Sequence, residues 1–160
     1  MRRSNVRILA KATRRLGCDI LADRAGSPAV EFALIAPLLF ALMMGIIQIG
    51  IVFNNYVELI DGVRSGSRNL AISRSTTTPW TTSTAAVTAS AANLTAANVS
   101  ITLKVNGVAC STDSTCVTAL STAAGLPASV SATYPCNLSI MGVNYSPSCT
   151  LSSQSTERIE

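Results

Sequence analysis

From Ala33 to Phe53 the chain carries 21 residues whose only polar side chain is Gln48. At about 1.5 Å per residue a helix of that length crosses a hydrocarbon core of roughly 30 Å, so the stretch predicts a transmembrane span. The apolar pattern then thins without ending: Val52, Tyr56, Leu59, Ile60 and Val63 recur at spacings of three and four, the period of one helix face. Glu58, Asp61, Arg64 and Arg68 fall on the wetter side, with Asp61/Arg64 and Arg64/Arg68 at helical-neighbour spacings. The prediction is a single helix over about 27–73, membrane-embedded in its first half.

From Ser75 the pattern changes. Twelve of the 26 residues from Ser75 to Ser100 are serine or threonine, and Thr76-Thr77-Thr78-Pro79-Trp80 reads as a linker or turn. Alanine-rich Ser83 to Asn93 predicts a short helix. Val99, Ile101, Leu103 and Val105 alternate with polar residues and run into Asn106-Gly107 and Val108, a hairpin signal. Val130 to Tyr134 and Cys149-Thr150-Leu151 are further strand candidates. Between Ser75 and Thr156 the only charged residues are Lys104 and Asp113, so this is a small β-rich domain rather than a charged disordered tail. The fold class is therefore an α+β membrane protein, with a long N-terminal helix and a β-containing domain over 74–160.

Charge orients the helix. The formal charge is +4, yet residues 1–26 hold seven basic residues against Asp19 and Asp23, while the rest holds five basic and six acidic. The basic character belongs to the leader, not to a nucleic-acid surface, and an excess of Lys and Arg beside a span stays cytoplasmic. Residues after about 55 are then outside. An ordinary signal peptide fits less well: its apolar region is usually about 7–15 residues long, and here Asn54-Asn55-Tyr56 follows instead of a small-residue cleavage site. An uncleaved anchor stays open. Arg7 to Leu21 can form a short basic amphipathic helix or an unstructured leader, and Cys18 reads as a reduced thiol without a role.

At the head of the helix stands Gly26-Ser27-Pro28-Ala29-Val30-Glu31. Ser27 suits an N-cap and Pro28 the first helical position, where a missing N–H costs nothing. A glutamate at the mouth of a span needs a partner, because a charge in a low-dielectric setting is tolerable only when compensated. Inside the span, Ala29/Ala33 and Ala41/Gly45 are small-xxx-small pairs that let another helix approach, and Gln48 can hydrogen-bond to such a partner. Pro37 removes one backbone hydrogen bond; it either shapes a packing bend or is simply tolerated.

Basic leader, glycine, four residues, glutamate and long apolar helix together resemble the prepilin signature of type IV pilins and pseudopilins. Asp23 to Leu39, with Val30-Glu31-Phe32-Ala33 and Ala36-Pro37, is more narrowly similar to TadE-like proteins, minor pseudopilins of tight-adherence (Flp) pilus machines. Gly45 to Gly50 and Val63-Arg64-Ser65-Gly66-Ser67-Arg68 resemble later blocks of that family, with serine at Ser67 where alanine is usual. The similarity covers residues 23 to about 74. It implies a prepilin-type leader over 1–26, cleavage between Gly26 and Ser27 by a membrane aspartyl peptidase, and docking of Glu31 on the freed amine of a neighbouring subunit. On the residue chemistry above, helix packing runs through Ala33, Pro37, Gly45 and Gln48, although the family more often has an aromatic or acidic residue where Gln48 stands. The implied partners are the inner membrane, the prepilin peptidase, the Flp pilin and other pseudopilins, and the assembly platform with its ATPase.

Cys110, Cys116, Cys136 and Cys149 all fall on the predicted outer side, where an even count favours two disulfides. Three connectivities are possible; near-neighbour closure favours Cys110 with Cys116 and Cys136 with Cys149. A zinc site is the competitor, but the C-x5-C-x19-C-x12-C spacing has no CxxC pair and the chain has no histidine. Lack of histidine also removes the usual general base, and there is neither a GxSxG elbow nor a phosphate-binding loop. The chain reads as a non-enzyme without a cofactor or a metal. Two functions remain: an assembly subunit of a pilus, or an uncleaved single-pass anchor displaying a binding or adhesion module.

Overall fold

Helix α1 runs without a break over Ser27–Ile72, 46 residues, in the computed structural model of the protein, which describes residues 27–136, 138–140 and 142–160. The predicted leader over 1–26, including Gly26, Cys18 and the amphipathic stretch to Leu21, lies outside the described residues. The helix continues through Pro37. The chain divides into two compact units, Met1–Met43 and Met44–Glu160. The described part of the first is the opening of α1. The second holds the remainder of α1 and everything after it.

In the second unit a 3-10 turn at Ser73–Ser75 closes α1 and leads to α2 (Pro79–Ser90). Strand β1 (Ser100–Val105) turns into β2 (Val108–Cys110), and α3 (Asp113–Ser121) follows. Then come β3 (Pro127–Pro135), the short hairpin of β4 (Ser139–Ile140) and β5 (Val143–Asn144), and β6 (Thr150–Arg158). The main sheet is antiparallel with order β2-β1-β3-β6. Asn106 and Gly107 both take positive φ, 50° and 81°, as a two-residue hairpin connection of the I′ type requires.

One sheet face meets the helices. Leu103 of β1 lies opposite Val130 of β3, and Val130 opposite Ser155 of β6. Leu59, Val63 and Leu70 of α1 join Val87, Leu94, Leu103, Val105, Val130, Leu120 and Ile159 in one buried cluster. Each fully buried Leu or Val contributes about 1.5–3 kcal/mol of apolar transfer. The buried positions of α1, Leu59, Gly62, Val63, Gly66, Ser67, Leu70 and Ala71, recur at three and four, the core stripe of an amphipathic helix. Asp61, Arg64 and Arg68 on the other side are exposed.

Several elements differ from the sequence expectation, the unforeseen β4–β5 hairpin among them. Helix α2 starts at Pro79 rather than Ser83, because a proline suits the first helical position. Helix α3 was not expected; Thr112 and Thr115 close it with a reciprocal capping box that uses threonine where glutamate is usual. Strand β6 extends through Arg158, far past Leu151.

Candidate assembly interface

The N-terminal half of α1 is clothed in apolar side chains that no described residue covers. Phe32, Leu34, Leu38, Leu39 and Phe40 of the first unit are all exposed, as are Ile46, Ile49 and Phe53 of the second. An apolar surface of this extent faces lipid or other protein, not water. It is the one described helix long and apolar enough to cross a membrane, and it is compatible with a single-pass anchor.

Ser27 is the first residue of α1 and Glu31 the fifth, on an exposed surface. Ala33, Pro37, Ala41 and Gly45 step by four along α1, and Gln48 follows three later. At about 100° per residue each step of four turns the direction by about 40°, so Ala33, Pro37 and Ala41 keep to one slowly winding face. A Cβ built on Gly45 or Gly50 would meet nothing within 4 Å. The helix surface at Gly45 is thus open to another helix.

Further along, the sequence reading missed a second glycine pair. A Cβ on Gly62 would sit 2.8 Å from the Val87 carbonyl oxygen, and one on Gly66 would sit 2.4 Å from Val87 Cγ2 and 3.2 Å from the Ser83 carbonyl oxygen. Gly62 and Gly66 are four apart, and they let α2 approach α1 with Ser83, Val87 and Ala91, themselves spaced by four. The spacing itself was the signal: this is a GxxxG pair placed outside the span.

Charged residues read as solvated faces also serve as clamps. Glu58 Oε1 accepts from Asn54 Nδ2 at 3.0 Å and from Asn93 Nδ2, while its Oε2 accepts from the Asn93 backbone N–H at 3.2 Å. It thereby ties the segment after α2 to α1. Asp113 accepts from the Thr81 backbone N–H at 2.9 Å and from Thr81 Oγ1 at 2.6 Å, so it caps the start of α2 from the first turn of α3. Those bonds from Thr81 hold its carboxyl below the ordinary value of 3.8.

Cys110 pairs with Cys116 and Cys136 with Cys149, with Cα atoms 5.1 and 5.2 Å apart. The first bridge ties the end of β2 to α3. The second closes the loop between β3 and β6, where the Cys136 N–H also donates to the Cys149 carbonyl at 3.1 Å. For loops this short, cross-linking contributes about 2–3 kcal/mol each in the chain-entropy picture. Among the described residues no group of three or more His, Cys, Asp or Glu side chains is placed to hold a metal ion.

No curated protein and no solved structure matches the chain. A family model described as TadE-like protein matches residues 26–68. The match takes in Gly26, Glu31, the small-residue face, the Gly62/Gly66 pair and Ser67, and stops before the sheet. Over these residues the chain is similar to the TadE-like family, a likeness that points toward the assembly of tight-adherence (Flp) pili.

Proposed function

We propose that this chain is a minor pseudopilin of a tight-adherence (Flp) pilus. It inserts into the bacterial inner membrane with residues 1–26 cytoplasmic and the sheet periplasmic, and a prepilin peptidase cuts it after Gly26. The observation that carries the reading is the Gly26-to-Glu31 spacing at the head of a 46-residue helix whose apolar half has no cover among the described residues. Cleavage frees the amine of Ser27. Glu31 of one subunit meets the amine of the next, which compensates a carboxylate that is otherwise costly at the edge of a membrane. The face of Ala33, Pro37, Gly45 and Gln48 packs on the Flp pilin, on other pseudopilins or on the assembly platform. The protein acts by binding and assembly, not as an enzyme.

The test is Glu31→Ala, with Glu31→Gln beside it. Both variants are expected to reach the membrane and be cut, yet to fail to support piliation. Normal piliation in Glu31→Ala overturns the docking role.

A further inference from the structure

The disulfide-closed loop between β3 and β6 sits where α1 leaves its apolar stretch. Ile49, Val52, Phe53 and Tyr56 of α1 line a recess of about 310 Å³ together with Leu138 and Leu151. The apolar run ends at Phe53, with Asn54-Asn55 next, so Leu138 shares a recess with the last turns of that run. Leu138 opens the loop held by Cys136–Cys149. The Tyr145 N–H donates to the Leu138 carbonyl at 2.9 Å, which fixes Tyr145 beside that recess.

This loop is built for an interface rather than for water. Val143 is 56% and Tyr145 65% exposed, and residues 137–148 include no Asp, Glu, Lys or Arg. The charges of the chain's last residues, Arg158 and Glu160, lie toward the other end of the same unit. The Glu160 N–H donates to the Ala71 carbonyl at 3.3 Å, near the end of α1, and Arg158 Nε to the Gly125 carbonyl at 3.0 Å. Tyrosine favours the level of lipid headgroups, its ring among acyl chains and its hydroxyl in water. Tyr56 on α1 and Tyr145 on the loop supply two such rings at one end of the unit.

We infer that the Cys136–Cys149 loop rests in the interfacial layer of the bilayer that α1 crosses, with Val143 and Tyr145 buried among lipid and acyl chains filling the recess. The occupant is the membrane surface, because the exposed patch is continuous with the helix segment that emerges from it. The inference rests on α1 being a membrane span. The loop then acts as a second foothold that sets the depth of the sheet unit beside the membrane.

Tryptophan fluorescence of the full chain in phosphatidylcholine/phosphatidylglycerol vesicles tests this. Trp80, the single tryptophan, is changed to Phe, and Tyr145→Trp, Val108→Trp or Leu39→Trp is added in turn. Val108 is 65% exposed and belongs to the charged end of the unit, so it reports on a site in water. Leu39→Trp reports on the span itself. The expected result is quenching of Tyr145→Trp by lipid brominated near the glycerol level, several-fold stronger than for Val108→Trp, with protection from aqueous iodide. Quenching of Tyr145→Trp by iodide to the extent of Val108→Trp, while Leu39→Trp responds to brominated lipid, overturns the inference and leaves the span intact. Emission shifted to the blue without lipid quenching means that protein covers the patch, and also overturns it. If Leu39→Trp ignores brominated lipid as well, the span fails and the inference falls with it.

Discussion

Ser67 Oγ donates to Ser155 Oγ at 3.0 Å, joining α1 to the edge strand β6 across 88 positions of sequence. The same hydroxyl lies 3.0 Å from the Arg64 carbonyl, and Ser67 is fully buried. This is the position at which the family block usually carries alanine. The inward row of β6 explains the serine: Leu151, Ser153, Ser155 and Glu157 are its half-buried residues, so α1 meets hydroxyls there rather than an apolar strand. Ser67→Ala or Ser155→Ala is expected to cost about 1 kcal/mol by loss of a part-buried hydrogen bond. The double variant should cost less than the sum of the two. Thermal or denaturant unfolding in detergent checks the cycle, and strict additivity would show that the two hydroxyls do not interact.

The Gly62/Gly66 pair sets how closely α2 can lie on α1. Gly66→Ala puts a methyl group 2.4 Å from Val87 Cγ2, and is expected to destabilise the sheet unit by about 1–3 kcal/mol despite the better helix propensity of alanine. Gly50→Ala meets nothing within 4 Å and should leave the unfolding midpoint unchanged. The contrast between two glycine-to-alanine changes in one helix removes propensity as the explanation.

Asp113 makes stability depend on pH in a defined direction. Its carboxyl is held below the ordinary value of 3.8 by the Thr81 bonds. A group with a lowered folded value contributes stability that is present above its unfolded value and lost as pH falls through the folded one. Wild-type melting temperature is therefore expected to decline below about pH 4. Asp113→Asn should melt lower at neutral pH and show a shallower decline across that acid window. Parallel curves for the two proteins would remove Asp113 as a contributor.

The elements legible in the sequence were those with strong period or special turn chemistry. The long apolar run and the stripe through Val63 marked α1, alternation through Leu103 and Val105 marked β1, and Asn106-Gly107 marked its hairpin. Cysteine proximity pointed to the two bridges found. Helix α3 was hidden because Asp113–Ser121 is short and rich in Ser and Thr, residues that favour caps and turns over helix interiors; its capping box and the Cys110–Cys116 bridge hold it. Strand β6 was seen only at Leu151, since Ser153, Ser155 and Glu157 on its inward face give no apolar period. The Glu58 and Asp113 clamps depend on Asn93 and Thr81, each more than 30 positions away in sequence, which no local pattern records.

The N-terminal sequence of the protein recovered from membranes, with and without Gly26→Ala, tests the central claim most directly. The account predicts a chain that begins at Ser27, and an uncut chain in the Gly26→Ala variant. A wild-type chain that still begins ahead of Gly26 would contradict prepilin processing and leave the helix as an uncleaved anchor.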